Sequence, residues 1–182
     1  MMRFVRFFDA VNELVGTSVA WLTLMMMLIT CIIVVSRYVF NLGSIALQES
    51  VMYLHGMVFM LGIGYTLKHQ GHVRVDILYT RFSVRTRAII DCFGTVVFLF
   101  PLGLFILIGS LNYVSFSWSL AEVSAQPGGL PGIFVLKTLI PVMAFLLLLQ
   151  GLAELGRSIS ILAGSPSETG RFDHGRTNQS RP

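Results

Sequence analysis

Four long apolar stretches, separated by short polar breaks, decide what this chain can fold into. No Asp, Glu, Lys or Arg occurs from Leu14 to Ser36, from Ser50 to Leu67 or from Cys92 to Ala121, and Ile133 to Ala153 is interrupted only by Lys137. Each stretch is long enough, or nearly so, to cross about 30 Å of hydrocarbon as a helix. Lipid offers no partner for unpaired backbone groups, and the alternating pattern of barrel strands is absent. The expected fold is an all-α membrane protein: four transmembrane helices, at about 14–38, 48–68, 86–117 and 132–155, plus short interfacial helices.

An apolar fraction of 54% with 12% charged residues sets the chain apart from soluble and disordered proteins. Four spans and their connections use nearly all 182 residues, which leaves no room for a separate soluble domain. The arginines flank the spans instead of clustering on an aromatic-interleaved face, so nucleic acid is not an expected partner. Cys31 and Cys92 read as small buried hydrophobes, and no zinc-ligand spacing exists. The first apolar stretch is too long for a signal peptide, follows Asp9 and Glu13, and lacks a small-residue cleavage site. It is expected to be a retained first span.

Charge placement orients the bundle. Arg3 and Arg6 precede span one; Lys68, Arg74, Arg81, Arg85 and Arg87 lie between spans two and three; Arg157, Arg171, Arg176 and Arg181 follow along the end of span four and the tail. Only Arg37 and Lys137 fall on the other side. Eleven against two predicts both termini and the middle connection in the cytoplasm.

Residues 1–13 place Phe4, Phe7, Phe8 and Val11 at helical spacing, with Arg6, Asp9 and Glu13 opposite. This pattern fits an amphipathic segment at the cytoplasmic interface and equally a simple extension of span one. Residues 14–160 form the membrane domain. Span two should stop at Lys68 to Gly71, a short interfacial helix should occupy Val73 to Phe82, and Ser83 should cap span three. Thirty uncharged residues make roughly 45 Å of helix, so span three must tilt, kink at Pro101, or project. Residues 161–182 lack periodicity and are expected to form a disordered cytoplasmic tail.

Chemistry-bearing residues inside the spans are few. His55 has no histidine at matching depth in another span, which argues against haem ligation and for a packed or hydrogen-bonded side chain. Glu49 and Glu122 read as charges at the outer ends of the spans, and Asp91 and Glu154 as charges near the inner ends, each solvated or locally paired. The spans are expected to hold no buried charge cluster. No phosphate loop, nucleophile triad or metal cluster is present, and no cofactor or catalytic residue is expected.

Three stretches carry a resemblance. The first is Ser36-Arg37-Tyr38-Val39-Phe40-Asn41 with Gln48-Glu49 after the turn. The second runs from Gly64 through Lys68-His69-Gln70-Gly71-His72-Val73-Arg74-Val75-Asp76 to Leu78. The third combines Trp118, Glu122-Val123-Ser124, Lys137, Ile140-Pro141 and Leu149-Gln150. Together they resemble the small membrane subunit, DctQ-like, of tripartite ATP-independent periplasmic (TRAP) transporters. The likeness covers about Arg37 to Leu155. Gln48 stands beside Glu49 in place of a second acid.

The resemblance implies a non-enzymatic scaffold in the bacterial inner membrane. Its partners would be a large multi-span subunit on a separate chain, a periplasmic substrate-binding protein, and lipid. The large subunit would hold the sodium and substrate sites and import organic acids such as dicarboxylates. Arg37, Glu49, His72, Asp76, Trp118, Glu122 and Lys137 stand out as partner-contact or structural positions. The rival class is a haem- or quinone-associated anchor of a redox complex, which the histidine placement disfavours.

Overall fold

A computed structural model describes residues 2–69 and 82–163, with side chains from Val5 onward. His72, Asp76, the helix expected over 73–82 (except Phe82) and residues 164–182 lie outside the described residues. Helix α1 is Met2–Val39, α2 is Ile45–Leu61, α3 is Ile63–Lys68, α4 is Val84–Gly94, α5 is Phe100–Ser119 and α6 is Ile133–Leu162. Four spans result: Val5–Val39, Ile45–Lys68, Val84–Ser119 and Ile133–Leu162, each long and apolar enough to cross a membrane. No strand occurs among the described residues. Residues 2–13 continue α1 without a break. The end carrying residue 2 and residue 163 is termed the terminal end, and the opposite one the loop end.

Local chemistry sets the boundaries. The Ser44 side chain accepts from the Leu47 N–H at the start of α2, and Ser83 accepts from the Thr86 N–H at the start of α4. Each satisfies one of the donors that a helix start leaves over. Asn41 ends the turn after α1 in the left-handed region, φ 54°, which asparagine tolerates better than most side chains.

Span three deals with Pro101 by changing its winding. Thr95–Leu99 forms a π-helical turn, and the Phe100 N–H bonds back to the Thr95 carbonyl. Pro101 then enters the first turn of α5, where its missing N–H costs least. A local π adjustment of this kind re-satisfies backbone groups that water cannot reach. Span four carries Pro141 inside an otherwise continuous α6.

Helix α6 is the hub, packing against α1, α2, α3, α4 and α5. Its buried positions include Ala144, Gly151 and Ala153 with Gln150, Ser158 and Ser160. Lipid tails are as apolar as leucine, so helices associate through close backbone approach and interhelical polar contacts. Gly64 of α3 shows the approach most clearly: a β-carbon there would overlap the Asn12 side chain of α1 and press on the Leu146 carbonyl of α6. The perimeter exposes Trp21, Leu28, Phe98 and Phe105, as a lipid-facing surface should. Cys31 is also exposed, not buried as expected, and Cys92 is half-buried; both are free thiols. At Cys31 the apolar surroundings that suggested a core are the lipid face.

Gly64→Ala should lower the unfolding free energy in detergent by about 1–3 kcal/mol, because Asn12 cannot move without disturbing its partners. Gly109→Ala, with nothing within 4 Å of its new methyl, should change it by less than about 0.5 kcal/mol. Equal effects of the two substitutions would show that the approach at Gly64 is not tight.

Candidate functional site

Two polar clusters join the spans, one at each end of the bundle. At the terminal end, Asp9, Asn12 and Glu13 lie on one face of α1, while Gln150, Glu154 and Arg157 recur at helical spacing on α6. Arg157 Nη1 donates to Asp9 Oδ1 at 2.9 Å and Oδ2 at 2.8 Å, and Nη2 donates to Glu154 Oε1 at 2.5 Å. Gln150 donates to Asp9 Oδ1 at 3.2 Å and accepts from the Asn12 amide at 3.0 Å. Asn12 and Gln150 are fully buried. The side chains of Arg157, Asp9 and Glu154 are only 11%, 17% and 19% exposed.

This is a largely buried charge cluster, where none was expected within the spans; the local pairing expected of Glu154 is present, with Arg157. The local sequence hides it because Asp9 and Arg157 are 148 positions apart. A second, wetter contact ties α1 to α3. Lys68 Nζ donates to Glu13 Oε2 at 2.5 Å and to the Asp9 carbonyl at 3.2 Å, and His69 Nε2 lies 3.0 Å from Glu13 Oε2. The Asn12 Oδ1, against Gly64, has no hydrogen-bond partner among the described residues.

At the loop end, α5 closes in a Schellman cap. Ala121 takes φ 45°; its N–H bonds the Trp118 carbonyl at 3.1 Å and the Glu122 N–H bonds the Ser117 carbonyl at 3.1 Å. An alanine here costs on the order of 1 kcal/mol against glycine. The cap brings Glu122 back over the helix, where its Oε2 accepts from Ser117 Oγ at 2.6 Å and from Lys137 Nζ at 2.5 Å. Lys137 also sits 4.1 Å from the centre of the Tyr113 ring. The Lys137 hydrogen bond, then that of Ser117, hold the Glu122 carboxyl below its ordinary range.

Beside this pair the Trp118 indole donates to Thr138 at 2.9 Å and meets the Phe134 ring edge-on at 4.7 Å. Glu49 of α2 pins the 120–132 connection by accepting from Ser124 Oγ and from the Leu130 N–H at 2.6 Å.

Of the positions singled out in the sequence, Trp118, Glu122 and Lys137 thus meet at one α5–α6 joint, and Glu49 holds the neighbouring connection. Arg37 is exposed at the end of α1 and joins neither cluster. His72 and Asp76 fall outside the described residues. Asp9, Asn12, Gln150 and Arg157 were missed as a set; the signal available was their helical spacing on two faces. His55 is exposed, stacked on Phe59 at 6.5 Å and 19°, and not packed within the bundle as expected. His55 and His69, fourteen residues apart in one span, are separated by about 21 Å of helix and could not share one iron. Among the described residues no group of three or more His, Cys, Asp or Glu side chains is placed to hold a metal ion.

The described residues thus form a bundle of four helices long and apolar enough to cross a membrane, joined by a polar cluster at each end. The family model for the DctQ component of tripartite ATP-independent periplasmic transporters matches residues 26–160, well over half of the chain. The chain belongs to this family, a transporter component and not a family of enzymes. Neither the curated proteins nor the solved structures provide a match.

Arg157→Met should cost about 3 kcal/mol or more in unfolding experiments, since Asp9 is left charged and largely buried. Adding Asp9→Leu should recover much of that loss; no recovery would show that the two charges are not coupled. At the loop end the lowered Glu122 carboxyl implies a contribution to stability that is complete above about pH 4.3 and fades as pH falls through its lower folded value. Emission from Trp118, read in a Trp21→Phe background, should hold steady down to about that pH and shift below it. Glu122→Gln should show the shifted emission at neutral pH, and an unshifted spectrum would release Glu122 from this role.

Proposed function

We propose that this chain is the small scaffold subunit of a sodium-coupled TRAP-type transporter in the bacterial inner membrane, with both termini in the cytoplasm. The observation that carries the reading is the family match over residues 26–160, and the charges at the terminal end fit it, since Arg157 engages Asp9 and Glu154 across two helices. The chain acts by bracing. A separate large membrane subunit holds the sodium and substrate sites and moves, and a periplasmic binding protein delivers an organic acid, a dicarboxylate or related carboxylate.

In this arrangement the loop end faces the periplasm. Arg37, Glu49, Trp118, Glu122 and Lys137 shape the surface that meets the binding protein or the large subunit there. His72 and Asp76 belong to the cytoplasmic interface, where their polar stretch acts as a structural clamp. The charge asymmetry supports the orientation, and the family match supports the division of labour.

Single cysteines test the orientation in a chain whose Cys31 and Cys92 are replaced by alanine. Those at Ser44 and Gln126 should react with an impermeant maleimide on intact cells, while one at Ala163 should not. Reaction at Ala163 would reverse the orientation. Reconstitution tests the division of labour: sodium-driven carboxylate uptake should need this chain, its large subunit and the binding protein together. Uptake by this chain alone would make it a transporter in its own right.

A further inference from the structure

One row of side chains on span two carries an imidazole into the lipid-facing surface. Gln48, Met52, His55 and Phe59 recur on one face of α2, all four exposed, with Phe59 at 69%. The row continues into α3 as Ile63 and Leu67, and these two form one wall of a groove of about 520 Å³. Ile90, Phe98 and Leu102 of span three line it too, with Leu147 and Glu154 of α6. Gly94 also lines the groove, with nothing within 4 Å of where a side chain would begin.

His55 is what selects the occupant. It lies six residues from Glu49, about 9 Å deeper into the span, and its only ring contact among the described residues is the stack on Phe59. An imidazole in that position faces hydrocarbon, where a polar group without a hydrogen-bond partner is costly. An acyl chain has nothing to offer it; a helix bearing a polar side chain at the same depth does. From Gln48 to Leu67 the row spans nineteen residues, roughly 28 Å, close to the thickness of the hydrocarbon core. One helix laid along it would be covered from rim to rim, and Gly94 would let its backbone come close.

We propose that this row and groove seat a transmembrane helix of the large subunit, which carries a polar side chain opposite His55. The inference rests on the function proposed above and names the face through which that partnership is made.

A photoreactive residue placed in turn at Met52, Phe59, Leu28 and Phe105 tests it in membranes containing this chain and its large subunit. Phe105 stands on the α5 face that also exposes Asn112, the strongest competing surface. Crosslinks to the large subunit should form from Met52 and Phe59 and not from Leu28 or Phe105. Crosslinks from Leu28 or Phe105 alone would overturn the assigned face while leaving the partnership intact, as would lipid adducts alone at Phe59 with the large subunit still co-purifying. A large subunit that neither co-purifies nor crosslinks anywhere would overturn both the partnership and the face. His55→Leu should reduce co-purified large subunit roughly tenfold with normal levels of this chain, the loss expected for one interhelical hydrogen bond. His55→Gln should retain most of it, and equal recovery with leucine would remove the polar seat.

Discussion

Arg157, clasped by Asp9 and Glu154, is the contact on which the bundle most depends. In lipid the hydrophobic effect does not favour one apolar helix pairing over another. Specificity must then come from shape and from polar groups that find partners in only one arrangement. The guanidinium engages the Asp9 carboxylate of α1 and the Glu154 carboxylate of α6 together, and the Asn12–Gln150 pair extends the contact one turn deeper. Helix α1 cannot slide along α6, or rotate against it, without uncovering a largely buried charge.

The loop end solves the same problem with backbone geometry. A left-handed residue ends α5 abruptly and returns Glu122 over its own last turn, where Lys137 of α6 reaches it. Glu49 then fastens the connection through Ser124 and the Leu130 N–H. Span two is thereby joined to the α5–α6 corner at one end and, through Lys68 and Glu13, to α1 at the other. The polar contacts fall near the two ends, and the stretch between them is held by small residues such as Gly103, Ala144 and Gly151.

The spans were legible in the sequence because lipid enforces hydropathy over whole helices, and the cap at Ser83 because it is local. Glu122 and Lys137 were legible as charges flanking one turn. The terminal-end cluster was not, since a pairing between residues 148 positions apart leaves no local trace. Its only mark was a polar row, Gln150, Glu154 and Arg157, on an otherwise apolar helix. Burial was misread at Cys31 and His55 for a related reason: in a membrane the apolar pattern does not distinguish a residue facing lipid from one facing the core. Gly62, which interrupts span two between α2 and α3, was not legible as a break because its backbone remains close to helical.

The π turn at Thr95–Leu99 has a consequence for how the third span is read as a surface. A π turn holds one residue more than an α turn would, so α4 and α5 are out of phase by about a quarter of a rotation. A single helical wheel drawn over Val84–Ser119 would therefore assign the wrong sides to one of its halves. The same extra residue makes the span tolerant of length: removing one position from the turn lets it rewind to α while Ile90 and Asp91 keep their place on the groove they line. The turn works as a gearing between two faces, fixing which side of the terminal half accompanies a given side of the loop half.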